Sequence, residues 1–439
     1  MAVRGDELVA FLYSDLSGMS RGRAVPAANL EQRLASGVGW VPADQAITPF
    51  GVLGDDDPFG PMGDVRLVPD PATETYVDLW PDVTPLHFFL SDAVQIDGGD
   101  WGACTRTLLK RALETFRSET GLTLLVAFEH EFFLEGDEPR PFFSFDALRA
   151  AEPFPGQVTA VFRMAGRPLE TFLPEFGRNQ FELTPVPRDA LAACDDASIA
   201  RELVRETARR CGRRASFAPI ADPDGSGNGV HIHLSLRRED GTPATHDETR
   251  PGSLSEVAGS FAAGVVRHLP ALCAVAAPTP VSYLRLVPHR WSAGYACLGE
   301  HNREAALRIA PVVRLPGSPE PAAALNLEFR PADGACCPHL VLSLIVLTGL
   351  QGIREHLRQP PLVHADPHSL GDEECERLGV RRLPSSLDAA LAELERDEIV
   401  RSFLAPELLG AFVSMKRKEL ELVADLEPHD ACARYAEMY

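Results

Sequence analysis

Between Leu124 and Leu134 the chain reads LLVAFEHEFFL, an apolar run in which two acids recur at a spacing of two. Strand side chains alternate faces, so Phe128, Phe132 and Phe133 predict a buried strand with Glu129 and Glu131 sharing one face. The pattern recurs at Val230–Leu236, where His231 and His233 share a face, and at Leu325–Arg330, which pairs Glu328 with Arg330. Helical periodicity appears at Thr105–Glu119, with Leu108, Leu109, Ala112, Leu113 and Phe116 on one side, and again at Ala197–Cys211, Leu254–Leu269, Leu340–Leu357 and Leu387–Glu395. The first part of the chain predicts short strands at Leu8–Asp15, Val65–Val68 and Thr75–Leu79, a turn at Ser17–Arg23 and a helical piece near Leu30–Ala35. A Gly/Pro/Asp-rich run, Phe50–Gly63, predicts a mobile loop, and Asp97–Trp101 a joint. Strands interleaved with helices make an α+β fold, divided here into residues 1–97 and 98–439.

Composition narrows the function. A chain of 439 residues, 45% hydrophobic, can bury a large core in two domains. Its net charge of −21 argues against nucleic-acid or anionic-membrane partners. Lysine occurs only at Lys110, Lys416 and Lys418, so phosphate recognition falls to arginine, whose fork suits phosphate and carboxylate oxygens. Nine cysteines without a CxxC pair indicate neither a zinc ribbon nor a disulfide framework. With acids at Asp6 and Glu7 where a secretory leader would be basic, and no apolar run expected to span a bilayer, a cytoplasmic location follows.

Two neighbouring carboxylates raise each other's pKa unless a cation neutralises them, and Mg²⁺ or Mn²⁺ takes oxygen ligands. Glu175 and Glu182, in PEFGRNQFEL around an apolar-flanked turn, bring the acids to five. Singly, each segment has an ordinary reading: a solvated strand face, a satisfied core histidine, a surface ion pair. Together they point to a carboxylate-lined metal site beside an anion site.

EHE at 129–131, EFGRNQFE at 175–182, GNGVHIH at 227–233, RLVP at 285–288, NREAALR at 302–308 and LEFR at 327–330 resemble, in this order, the glutamine synthetase family. The resemblance runs from about Asp15 to the last helices. It implies an amino-terminal β-grasp domain and a catalytic domain built on a curved antiparallel half-barrel. It also implies a glutamate, ATP and amine substrate set. By resemblance Glu131, Glu175 and Glu182 would hold one divalent ion, and Glu129, His231 and Glu328 another. Arg303 and Arg308 resemble the phosphate-contacting arginines. Arg285 and Arg330 resemble the pair that holds glutamate, with Gly227 in the loop approaching its backbone, and Arg303 and Arg330 would serve catalysis. Glu170, His233 and Ser235 fall where the family contacts ATP. Members assemble as dodecamers of two stacked hexameric rings.

The departures concern the nucleophile. Ammonia-using members carry an acid in the amino-terminal loop, at or near the place of Phe50, and a flap glutamate at the place of Trp291. Losing both and gaining two aromatic faces predicts an organic amine as acceptor. The expected enzyme resembles the γ-glutamyl-amine ligase branch, related to glutamylpolyamine and glutamylethanolamide synthetases. Asp55, Asp56 and Asp57 could supply the missing acid if the register slips, which keeps glutamine synthetase as an alternative; a non-catalytic structural relative is a second. No tyrosine between Pro367 and Pro384 offers an adenylylation target.

Overall fold

The computed structural model describes residues 7–136, 138–290 and 292–439. Two sheets organise them. The first runs Ser20–Pro26, Leu8–Ser14, Leu86–Gln95, Val65–Pro69, Val38–Trp40, with Thr75–Val77 also paired to Leu86–Gln95. Its centre is a parallel pair, Leu8–Ser14 with Leu86–Gln95, as a β-grasp requires. The second sheet has eleven strands and curves into a nearly closed barrel. Its main path runs Leu362–Val363, Tyr295–Glu300, Ala305–Ile309, Leu327–Phe329, Val230–Arg238, Leu122–Glu135, Gln180–Pro185, Leu169–Pro174. The pairing is antiparallel from Ala305–Ile309 onward, but Tyr295–Glu300 lies parallel to both its neighbours on the path, so the sheet is mixed at that end.

Helices Thr105–Thr120, Ala190–Arg210 and Glu256–Ala276 pack on the second sheet, and Pro338–Arg354 packs on all three. Two of them touch through backbone: a Cβ on Gly264 would lie 2.1 Å from Thr348 O, and one on Gly352 would lie 2.2 Å from Ser260 O. Only glycine allows that approach. Glu256–Ala276 is long and apolar enough to cross a bilayer, but 83% of the relevant window is buried in the core.

Where expectation and structure differ, the reason is local. The expected turn at Ser17–Arg23 is largely an edge strand, Ser20–Pro26, whose polar outer face hides the alternation. The segment around Glu175 and Glu182 is a hairpin between Leu169–Pro174 and Gln180–Pro185. The helix expected from Ala197 begins at Ala190, because buried Asp195 and Asp196 interrupt its apolar face. Both acids are paired: Arg106 donates to Asp195 at 2.9 and 2.8 Å, and Arg167 to Asp196 at 2.7 Å. Arg106 also reaches across to Asp70 at 2.7 Å and Asp92 at 3.0 Å on the first sheet's side.

The run Phe50–Gly63 has no regular structure but is docked on helix Pro406–Val423. A Cβ on Gly54 would lie 2.2 Å from Ser414 Oγ, Lys418 pairs with Asp55 at 3.0 Å, and Phe59 packs on Trp101 at 5.2 Å. Helix Pro428–Met438 continues this layer. The fully buried Lys416 and Glu419 pair at 2.8 Å there, and Tyr435 donates to Glu419 at 2.7 Å.

Candidate active site

The acids meet because five strands run in register. His231 lies opposite Glu129, Glu131 opposite Glu182, and Glu328 opposite both His233 and Arg308. Even spacing then puts all these side chains on one face of the barrel. His231 Nδ1 is 2.9 Å from Glu129 Oε1, and His233 Nε2 is 3.3 Å from Glu129 Oε2. Glu131 accepts the Gly229 N–H at 2.6 Å, and Gln180 Nε2 approaches it at 3.4 Å. Glu328 accepts from Arg308 at 2.7 Å and from Arg330, and lies 3.8 Å from His231 Nδ1. Glu175, on the hairpin turn, accepts the Phe176 N–H at 2.8 Å.

The electrostatics sort these carboxylates into two states. Burial alone would raise Glu129, but bonds from His231 and His233 outweigh it and hold the carboxyl well below its ordinary range. Glu328 is likewise pushed up by burial and pulled down further by Arg330, His231, His233 and Arg308, to about 2. Glu182 goes the other way: burial and the adjacent Glu129 charge keep it protonated. Burial raises Glu175 to about 7, against the Phe176 N–H.

This donor set fits a divalent cation. Ligand atoms of Glu129, Glu131 and His231 lie within 4.8 Å of one another, a spacing that one ion can span. His231 Nε2 is buried with no hydrogen-bond partner, and Glu182 stays protonated for want of a neighbouring positive charge. The two expected trios are not spatially separate, since Glu129 adjoins members of both. A cation held here would neutralise charge on phosphate oxygens during phosphoryl transfer.

The proton occupancies imply a pH dependence. Glu175 and Glu182 have raised folded-state pKa values, so the stability their protons confer is full below the ordinary carboxylate range and lost as pH rises through the folded values. For Glu175 that window runs from 4.5 to about 7. Metal-free protein is therefore expected to lose thermal stability as pH rises across this window, while the gain from added Mg²⁺ grows because binding displaces protons. Thermal midpoints at about pH 5.5 and about pH 8, with and without Mg²⁺, check this; a gain independent of pH would contradict it.

A cavity of about 540 Å³ opens from the cage. Its lining includes Glu129 and Glu182 together with Glu170, His233, Ser235 and Asn326, so the three residues expected at ATP share one space. Arg308 is buried against Glu328, whereas Arg303 is exposed and acts electrostatically on Glu175. Arg285 is buried, donating to Pro331 O at 2.6 Å and Ala332 O at 2.7 Å, with its Nε unpartnered. Gly227 lies against it: a Cβ there would meet Arg285 Cγ at 2.4 Å and Pro219 O at 2.7 Å. Arg330 is buried and donates through Nε to Arg303 O at 3.0 Å.

Of the two expected aromatic contacts, Trp291 lies outside the described residues. Phe50 packs on Tyr435 at 5.1 Å with the Arg434 guanidinium 4.1 Å over its ring, within its own chain. A different aromatic group stands beside the cage. Phe142 and Phe143 are exposed and cluster with Phe176, the neighbour of Glu175, at 5.2 and 6.3 Å. No strand or helix pattern had marked them. Glu304, next to Arg303, was also missed, because it sits in a turn with no periodicity to give it a face.

Comparison with known proteins agrees with this geometry. Residues 102–434 match the glutamine synthetase catalytic domain, and residues 2–101 the glutamine synthetase N-terminal domain. The chain is 34% identical to a gamma-glutamylpolyamine synthetase of Streptomyces coelicolor, over 98% of this chain and 93% of that protein. It is 29% identical to a glutamine synthetase of Pyrococcus abyssi, over 96% and 91%. A glutamate–methylamine ligase of Methyloversatilis universalis is 27% identical, over 93% and 91%. A solved structure described as a novel glutamine synthase homolog superposes with a TM-score of 0.92 at 44% identity, covering 100% of both chains.

Proposed function

Since the chain belongs to the glutamine synthetase family and is an ATP-dependent ligase, we propose that it joins glutamate to an organic amine, forming a γ-glutamyl amide. The γ-carboxylate oxygen of glutamate attacks the γ-phosphorus of ATP, and the bond to ADP breaks. The amine nitrogen then attacks the acyl carbon, phosphate departs with the C–O bonding pair, and the nitrogen loses its proton to solvent.

In this reading Glu129, Glu131, Glu175, Glu182, His231 and Glu328 hold Mg²⁺ or Mn²⁺, and Glu170, His233 and Ser235 hold ATP. Arg303 and Arg308 steady the phosphate oxygens, and Arg285 and Arg330 the glutamate carboxylates, with Gly227 admitting the amino acid's backbone. Electrostatic positioning of this kind supplies most of what phosphoryl transfer needs. The division at residue 97 separates the β-grasp part from this machinery, and a ring-forming homo-oligomer is the proposed assembly.

The observation that carries the choice of an organic amine is the state of the amino-terminal loop. Phe50 stands where an acid is expected, and two of the three nearby acids are tied within the chain: Asp55 to Lys418 at 3.0 Å, Asp57 to the Gly60 N–H at 3.0 Å. The exposed Phe142, Phe143 and Phe176 rings offer carbon-rich surface beside Glu175. Similarity to a polyamine and a methylamine enzyme supports the same reading. The test is phosphate release from ATP and glutamate with a panel of amines. Organic amines are expected to outpace ammonium; equal or faster turnover with ammonium than with every organic amine would return the protein to glutamine synthesis.

A further inference from the structure

Glu304 is an acid that the motifs leave unassigned, and its surroundings ask for a cation. The carboxylate faces the loop after Leu286: the His289 N–H reaches its two oxygens at 3.2 and 3.3 Å. That contact holds His289 in the left-handed region, φ +63°, which a non-glycine residue seldom adopts. From below, the Glu304 N–H donates to Asn302 Oδ1 at 3.0 Å, and Asn302 Nδ2 donates to Val363 O at 3.1 Å and Ala365 O at 2.9 Å. The residue is therefore anchored on both sides, half-buried, directly after Arg303.

Its position relative to the site follows from the arginines. Arg330 donates through Nε to the carbonyl of Arg303, the residue before Glu304, at 3.0 Å, so the carboxylate lies beside the guanidinium assigned to glutamate. Two of the charged groups nearby are already paired. Arg330 pairs with Glu328, and His289 Nε2 lies 2.9 Å from Asp366. Among the described residues, no lysine, arginine or histidine side chain forms an ion pair with Glu304. A half-buried carboxylate with no ion-pair partner among the described residues, beside the arginine assigned to glutamate, is suited to a ligand that brings the positive charge itself.

We infer that Glu304 is the specificity-determining carboxylate that receives the ammonium group of a protonated alkylamine, an inference resting on the ligase reading above. It takes over from a strand-end position what Phe50 and Trp291 cannot supply. Its contribution is to binding of the amine.

The test compares wild type with Glu304→Gln and Glu304→Asp at neutral pH, with Mg²⁺, ATP, glutamate and either 1,4-diaminobutane or hydroxylamine. Diaminobutane is cationic under these conditions and hydroxylamine is uncharged. Glutamine can still accept the His289 N–H, so the loop contact is kept. In Glu304→Gln the ratio of kcat/KM for diaminobutane to that for hydroxylamine is expected to fall by about tenfold or more, mainly through the KM of the diamine. Glu304→Asp should recover part of it. An unchanged ratio, including an equal loss with both nucleophiles, overturns the inference by making Glu304 a loop support only. A wild-type enzyme that uses ammonium in preference to every organic amine refutes the ligase reading instead. Ammonium, also a cation, then replaces diaminobutane in the ratio, with the same fall expected.

Discussion

Replacing Glu129 by glutamine is expected to lower the rate of ATP-dependent phosphate release by at least on the order of a hundredfold. Glu129 is the carboxylate that both histidines keep ionised, and its ligand atoms group with those of Glu131 and His231 within 4.8 Å. Glutamine keeps the shape and removes the anion. Two further consequences separate this from unfolding. The charge that keeps Glu182 protonated is gone, so that carboxyl should return toward its ordinary range. The metal-free variant should still melt cooperatively, with a midpoint lowered only by losing the charge pairing that His231 and His233 give Glu129. Phosphate release, Mn²⁺ titration and a melting curve on the same preparation decide the matter. Activity within about tenfold of wild type would show that cation binding does not depend on this residue.

The second large effect lies away from the cage. Lys416→Met removes one partner of a fully buried ion pair and leaves Glu419 charged, with only the Tyr435 hydroxyl to solvate it. Breaking such a pair from one side costs about 3–5 kcal/mol, because the remaining charge stays desolvated. Adding Glu419→Gln removes that charge and keeps an acceptor for Tyr435, so the double variant should recover more than half of the loss. Denaturant midpoints of wild type, single and double variants make the comparison. A single variant as stable as wild type would mean that water reaches Glu419 in solution.

Much of the site was legible in the chain because β-strand periodicity is strict. Once Glu129, Glu131, His231, His233, Glu328 and Arg330 were read as alternating residues, their faces followed, and the registers bring those faces together. What was hidden had physical reasons. The strand Ser20–Pro26 presents mostly polar or charged side chains, so no alternation shows. Leu86–Gln95 is buried along its centre, and such a run carries no period to distinguish it. The acids of helix Ala190–Arg210 break an apolar stripe, made tolerable by Arg106 and His339 at Asp195 and by Arg167 and Arg188 at Asp196, most of them distant in sequence. Glu304 and the Phe142–Phe176 group stand on turns, where side-chain direction is set by tertiary contacts rather than by spacing. The loop Phe50–Gly63 was expected to be mobile on composition alone; the glycine that permits its close contact with Ser414 is also what gave it a flexible signature.

Arg106 has a wider implication. One guanidinium pairs with Asp70 and Asp92 on the first sheet's side and with Asp195 on helix Ala190–Arg210, so the amino-terminal part holds charges that the other part neutralises. Severed at the connection, the shorter piece would expose Asp70 and Asp92 without their counterion, and the longer would keep a cation with surplus hydrogen-bonding capacity in its interior. Such mutual dependence makes separate inheritance of the two parts costly, and it gives physical grounds for their remaining one gene product.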